Sequence, residues 1–142
     1  MTEQETLNPS FVSASHLAYL GDAVYELYVR ESLVCRSIRQ PSVGALGYVT
    51  AKAQCHAAER ILPLLDEAES DQFRRGRNIG HTNVPKSASL HEYRMATALE
   101  TLFGWLYLRG AHERLRELFD AAFAPDETLP ETPEGEPTDA GV

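Results

Sequence analysis

The chain has 142 residues, a length that suits one domain with a real hydrophobic core. Its hydrophobic content of 43% and charged content of 24% are those of an ordinary soluble globular protein. No apolar run approaches a membrane span, and the N-terminus lacks a signal-peptide pattern, so we expect no membrane partner. Cys35 and Cys55 are too few for a disulfide framework and form no Cys-x-x-Cys pair. They predict reduced thiols in a cytoplasmic protein.

The net charge of −8 is concentrated at the C-terminus. Without the six acids of residues 125–142, the remaining 15 acidic and 13 basic residues give a net charge of −2, which does not exclude a nucleic-acid partner. Residues 125–142 are rich in Pro, Glu, Thr and Gly and contain no aromatic residue, which predicts an acidic disordered tail. The predicted folded domain is therefore residues 1–124.

Taken in order, the chain predicts helices separated by short breaks. After a polar lead-in, the first helix begins at Ser13 or Ser15, either of which is a good N-cap, and ends near Leu33. A loop is predicted over residues 76–88 because they contain Gly76, Gly80, Pro85 and several small polar residues. The other predicted helices span about 42–62, 66–77, 89–108 and 111–123. With no alternation typical of a strand, the predicted fold is all-α.

The first helix contains two acids, Asp22 and Glu26, in an otherwise apolar and aromatic stretch over residues 17–30. They are one turn apart on the same helix face, which Tyr25 and Val29 flank, so we expect apolar surroundings rather than solvent. An ionised carboxylate there costs several kcal/mol unless a cation or hydrogen bonds compensate it. A hard divalent metal ion is a good candidate for that partner.

A third acid, Glu100, lies in an apolar helix, and Gly104 one turn later permits a close approach of another helix. For any one such acid, an ion pair with an arginine or a contact with a helix end is the simpler explanation. For Asp22, Glu26 and Glu100 together, a shared metal site is the better hypothesis. Oxygen ligands without a His or Cys motif favour Mg²⁺ or Mn²⁺ over zinc.

A basic stretch without acids, residues 72–91, is suited to contacts with the phosphates of a nucleic acid. Gly76 and Gly80 allow close approach of the backbone to a ligand. A solvated basic loop is an equally good interpretation of the composition. The residues with suitable side chains are Arg74, Arg75, Arg77, Asn78 and Lys86.

Two segments resemble the ribonuclease III family. Tyr19-Leu-Gly-Asp-Ala-Val-Tyr-Glu26 is similar to its motif Phe-Leu-Gly-Asp-Ala-Val followed by Leu-Glu, and Glu100-Thr-Leu-Phe-Gly-Trp-Leu-Tyr-Leu108 is similar to its second acidic helix. The resemblance spans about residues 15–122 in the right order. Four further segments resemble the mini-ribonuclease III branch, which has no double-stranded-RNA-binding domain: Val49–Gln54, Arg74–Asn78, Val84–Lys86 and Tyr93–Arg94.

The resemblance implies a homodimeric, all-α endonuclease domain that cleaves double-stranded RNA with Mg²⁺ and leaves 5′-phosphate products. It implies that Asp22 and Glu100 are catalytic and bind the metal, with Glu26 as a less firm ligand. Larger relatives carry further acids where this chain has Ser15, Ala18 and Thr97, so Asp22 and Glu100 should dominate. The implied RNA-binding residues are Arg74, Arg75, Arg77, Asn78, Lys86 and Lys52.

The implied substrate is precursor large-subunit (23S) ribosomal RNA in a bacterial cytoplasm, and ribosomal proteins are possible partners. Two other classes of function stay open at this point. In a catalytically silent RNA-binding or ribosome-assembly module, the acids are structural. In a purely protein-binding helical dimer, duplex RNA does not bind.

Overall fold

The computed structural model describes residues 7–36, 44–80 and 88–123. Within these ranges every regular element is helical, so the predicted all-α class is confirmed. Short 3-10 turns lie at Pro9–Phe11 and Leu62–Leu64. The α-helices are α1 (Ala14–Cys35), α2 (Leu46–Val49), α3 (Ala51–Ile61), α4 (Glu67–Arg77), α5 (Leu90–Leu108) and α6 (His112–Ala122).

Helix α5 is the centre of the fold and packs against α1, α3, α4 and α6. It is buried on most of its circumference because apolar residues occupy almost every position of its second half. Leu99, Leu102 and Phe103 are fully buried, and each such side chain contributes about 1.5–3 kcal/mol through removal from water. The ring of Tyr25 on α1 meets that of Phe103 edge to face, with centroids 5.8 Å apart.

The helix ends follow the capping signals of the sequence. Ser13 caps α1 by accepting a hydrogen bond from the amide of His16. Ser89 and Glu92 form a capping box at the start of α5, which confirms the predicted start. After α5 ends at Leu108, Gly110 adopts a φ of 74°, a left-handed conformation that favours glycine. The predicted break at residues 109–110 is therefore confirmed.

The single helix predicted over residues 42–62 is wrong, because the chain breaks at Thr50. Thr50 has extended backbone angles, with φ −70° and ψ 157°, and separates α2 from α3. Its hydroxyl accepts a hydrogen bond of 3.1 Å from the amide of Ala53, so the residue caps a new helix. Pro63 lies in the 3-10 turn that follows α3. The predicted start at Ser42 lies outside the described residues.

The predicted tail, residues 125–142, also lies outside the described residues, as do the central positions of the predicted loop over 76–88. In the ranges that are described, every helix falls short of the length or apolar character that crossing a membrane requires.

Candidate active site

Helices α1 and α5 cross at two glycines, Gly21 and Gly104. A Cβ atom added at Gly21 would lie 1.6 Å from the carbonyl oxygen of Glu100, and one added at Gly104 would lie 2.0 Å from that of Leu17. The two backbones are therefore in direct contact, which only glycine permits. The close approach predicted from Gly104 is confirmed. It brings Asp22, the residue after Gly21, to Glu100.

The carboxyl groups of Asp22 and Glu100 lie within hydrogen-bonding range of each other. Glu100 is half-buried, whereas Asp22 is exposed. Burial, followed by the negative charge of Asp22, raises the pKa of Glu100 to about 8. The prediction that Asp22 lies in apolar surroundings is wrong, because α1 turns Tyr25 and Val29 inward and leaves Asp22 at the surface. Only Glu100 bears the cost of burial.

Glu26 lies one turn after Asp22 and forms an ion pair with Arg30 on the same helix. Among the described side chains, it does not form a three-member ligand group with Asp22 and Glu100 whose donor atoms all lie within 4.8 Å. In this conformation, Glu26 is therefore not part of the group that Asp22 and Glu100 form. Its role as a metal ligand stays a prediction.

Gln54 on α3 is a site residue that the residue-level reasoning missed. It is 4% exposed, its Nε2 donates to the carbonyl oxygen of Val49 at 3.3 Å, and its amide acts on the Glu100 carboxylate by lowering the pKa of that group. Its Oε1 is buried and has no hydrogen-bond partner, which costs about 1–3 kcal/mol. The available signal was a polar amide on the buried face of α3, beside Cys55 and Ala58.

These groups fit a hard divalent cation. The two carboxylates supply oxygen donors, the atoms that Mg²⁺ and Mn²⁺ prefer. In the part of the chain that the structure describes, no Lys or Arg is among the groups that act on the pKa of Glu100. A bound cation would relieve the repulsion between Asp22 and Glu100 and lower that pKa. Asp22 and Glu100 would hold the ion directly.

A second group of possible ligands joins α3 to α5. The donor atoms of Cys55, Glu59 and His91 all lie within 4.8 Å of one another. The Cys55 thiol donates to Glu59 at 3.8 Å, and Nε2 of His91 lies 3.8 Å from the same carboxylate oxygen. Burial and the nearby Glu59 raise the pKa of Cys55 to about 11. Sulfur, nitrogen and oxygen donors suit zinc better than magnesium, so this cluster differs in chemistry from the pair at Asp22 and Glu100.

The predicted RNA-binding residues lie on two helices. Arg74 and Arg77 are exposed in the last turn of α4, where Arg74 pairs with Asp71 at 2.8 Å. Asn78 is exposed at the end of that helix, and Lys52 is exposed on α3. Lys86 lies outside the described residues.

Arg75 holds the fold together. Its guanidinium donates to the carbonyl oxygen of Val12 at 2.9 Å and to Gln72 at 2.7 Å, so α4 is tied to the segment that precedes α1. The prediction that Gly76 lies in a ligand-facing loop is wrong. Gly76 is buried within α4, and an added Cβ would lie 2.3 Å from the hydroxyl of Thr101 on α5.

The sequence profile of the Ribonuclease III domain matches residues 15–111, which include both α1 and α5. The chain belongs to the ribonuclease III family. It is 45% identical over 118 residues to Mini-ribonuclease 3 of Symbiobacterium thermophilum, covering 81% of this chain and 91% of that protein. It is 39% identical over 125 residues to Mini-ribonuclease 3 of Brevibacillus brevis, covering 86% of this chain and 93% of that protein.

A crystal structure of a protein from Fusobacterium nucleatum is similar to this ribonuclease III domain with a TM-score of 0.70 and 31% sequence identity, covering 78% of this chain and 90% of that one. The fold and the mini-ribonuclease III likeness predicted from the sequence are therefore confirmed. The protein is an endoribonuclease of a family that acts on double-stranded RNA.

Proposed function

We propose that this endoribonuclease hydrolyses double-stranded RNA with Mg²⁺, or Mn²⁺ in its place, held by Asp22 and Glu100. The observation that carries the proposal is the half-buried Glu100 carboxylate, which faces a second carboxylate and, within residues 7–36, 44–80 and 88–123, has no cation among the groups that act on its pKa. A folded protein tolerates such a pair where a bound cation compensates both charges. Perturbed carboxylates of this kind are typical of functional sites.

Each residue has a defined task in the reaction. Asp22 and Glu100 would hold the ion, and the contact of α1 with α5 keeps their two carboxylates side by side for that purpose. The bound ion supplies the activation of a water molecule and the neutralisation of charge on the phosphate. The expected products carry 5′-phosphate and 3′-hydroxyl ends.

Arg74, Arg77 and Asn78 on α4, together with Lys52 on α3, are proposed to contact RNA phosphates, with Lys86 adding a further charge. Contacts of this type position a duplex without reading its bases, so recognition rests on the shape of A-form RNA. Arg75 contributes in a different way, because its bond to Val12 holds α4 in place. Its proposed contact with RNA would be made by the same guanidinium.

A homodimer is proposed because α1 exposes apolar side chains along its length. Tyr19 is 84% exposed, Leu27 62% and Val34 67%, and they recur along α1 at intervals of about two turns. An apolar stripe of this kind is typical of a surface that a second subunit covers. Two subunits would bring two Asp22–Glu100 pairs to one duplex, one for each strand.

The proposed biological substrate is precursor large-subunit (23S) ribosomal RNA in the cytoplasm, with ribosomal proteins as possible partners. The support is the similarity to Mini-ribonuclease 3 proteins over most of the chain. This part of the proposal is separable from the chemistry. Cleavage of a generic duplex tests the reaction, and cleavage of precursor ribosomal RNA tests the substrate.

The decisive experiment compares cleavage of duplex and single-stranded RNA with and without Mg²⁺. We expect cleavage of the duplex only, and only with the metal, and we expect Asp22→Asn and Glu100→Gln to lose it while remaining folded. Retained cleavage in both variants would contradict the metal assignment. Binding of duplex RNA without any cleavage by the wild-type chain would instead favour a silent RNA-binding module.

A further inference from the structure

Gln54 differs from the other buried polar side chains that the structure describes. These are Glu69, Gln72 and Thr101, and each has partners: Glu69 pairs with Arg114, Gln72 accepts a hydrogen bond from Arg75, and the Thr101 hydroxyl donates to the carbonyl oxygen of Thr97. Gln54 alone among the described side chains keeps a buried oxygen without a partner. Such an exception calls for a functional explanation.

The two ends of the Gln54 amide have different surroundings. Its Nε2 donates to the carbonyl oxygen of Val49, at the end of α2, and the same amide favours the ionised form of the Glu100 carboxylate on α5. Its oxygen has no partner. A methionine has the same length and would fill this place without an unpaired oxygen. What the glutamine adds is its contact with Glu100.

We propose that Gln54 is a positioning residue, which orients the Glu100 carboxylate so that it binds a divalent metal ion together with Asp22. The inference rests on the proposed function. Two groups act on the Glu100 carboxylate, the amide of Gln54 and the carboxyl group of Asp22. The amide donates to the carboxylate and adds no charge, so it favours the ionised form without competing for the cation. Donors of this type commonly tune the affinity of metal ligands.

The test is a titration of the full-length chain with Mg²⁺ that starts from a sample in EDTA. The melting temperature is measured at each Mg²⁺ concentration. A ligand that binds the folded state stabilises it by RT ln(1 + [L]/Kd), so the Mg²⁺ concentration at which the melting temperature starts to rise reports the affinity for the metal. The variants are Gln54→Met and Gln54→Leu. Gln72→Met is the matched control, since it removes a buried glutamine that contacts Arg75 instead of Glu100.

We expect Gln54→Met to weaken Mg²⁺ binding about tenfold, the scale on which groups behind a metal ligand act. In EDTA its melting temperature should stay close to that of the wild type, because removal of the unpaired oxygen offsets the lost hydrogen bond to Val49. Gln72→Met should melt lower, but its melting temperature should start to rise at the same Mg²⁺ concentration as that of the wild type. In a Glu100→Gln background, Gln54→Met should have no further effect on Mg²⁺ binding.

Cleavage gives a second readout. We expect Gln54→Met to lower kcat at limiting Mg²⁺, to recover at high Mg²⁺ and to leave KM for RNA unchanged. If the melting temperatures of the wild type and both Gln54 variants start to rise at the same Mg²⁺ concentration, the positioning role is overturned but the metal site is not. Absence of any Mg²⁺ effect on the wild-type chain would overturn both.

Discussion

Two buried or half-buried glutamates, Glu69 and Glu100, show how the same side chain serves two purposes in this fold. Glu69 on α4 is 3% exposed, and both its oxygens accept hydrogen bonds of 2.8 Å from Arg114 on α6. It also accepts from the amide of Asp66 in a capping box. The Arg114 hydrogen bonds hold the pKa of Glu69 below its usual value despite burial.

Among the described residues, no cation takes this part for Glu100. Its neighbours are the carboxyl group of Asp22 and the neutral amide of Gln54, and its pKa rises to about 8. Burial alone therefore does not distinguish a structural acid from a functional one. The distinction lies in whether the fold supplies a cation, as it does for Glu69, or leaves the charge to be compensated from outside.

The largest expected effect is on cleavage. Asp22→Asn and Glu100→Gln each remove a proposed metal ligand, and we expect cleavage of duplex RNA to fall about a thousandfold or more, which corresponds to the several kcal/mol that a bound metal contributes. Glu69→Gln is the matched control, with near-normal cleavage by the molecules that stay folded. Comparable losses of cleavage in Glu69→Gln and Glu100→Gln would contradict the distinction between a structural and a functional glutamate.

The second effect is on stability, and here Glu69→Gln should have the larger effect and Glu100→Gln the smaller. We expect Glu69→Gln to lower the free energy of unfolding by about 3 kcal/mol, because it breaks an enclosed ion pair and leaves Arg114 with less compensation. Glu100→Gln should not destabilise the metal-free protein near pH 8, since it removes an unfavourable charge. Urea unfolding in EDTA measures both changes, and a larger loss in Glu100→Gln would argue against this assignment.

The third prediction concerns the helix contact that forms the site. Gly21→Ala places a Cβ against the backbone of Glu100, so α1 and α5 must separate. We expect a loss of about 2–3 kcal/mol of stability, the scale of an overpacked core, and loss of cleavage even where the variant is folded. Gly47→Ala is a control, because nothing lies within 4 Å of a Cβ added there. Normal cleavage by Gly21→Ala would show that the contact is not required.

The fourth prediction is smaller and separates the arginines of α4. Arg77→Ala should weaken duplex binding in a gel shift with Ca²⁺ and reduce the salt dependence by about one phosphate contact. Arg75→Ala should also lower the melting temperature, since it breaks the bond to Val12. Unchanged RNA binding by an Arg74→Ala, Arg77→Ala double variant would contradict their phosphate role.

Much of the fold could be predicted because its signals are local. Ser13 and Ser89 are capping residues at fixed distances from apolar helices, and both start the helices predicted for them. Gly104 correctly predicted a close helix contact. The break at Thr50 was not predicted because a threonine can either lie inside a helix or cap a new one with its hydroxyl. Packing against the rest of the fold decides which of the two occurs.

The candidate site could be predicted only in part. Sequence similarity brought Asp22 and Glu100 together, but their different exposure depends on how α1 rotates against α5. Gln54 and Arg75 lie far along the chain from Glu100 and Val12, their respective partners, and no spacing rule links such pairs. Composition alone predicts the same role for Arg74, Arg75 and Arg77. In the structure, the hydrogen bonds of Arg75 give it a structural role that the other two do not have.

The central claim is that the Glu100 carboxylate, beside Asp22, is compensated by a divalent cation, and its most direct test is urea unfolding between about pH 5 and pH 9. A raised pKa means that the folded state binds more protons in this window, so in EDTA the wild-type stability should fall as the pH rises from the unfolded value of Glu100 towards 8. Mg²⁺ should restore that stability at high pH, and Glu100→Gln should show neither the fall nor the restoration. Identical profiles for wild type and Glu100→Gln, with no effect of Mg²⁺ on either, would contradict the claim.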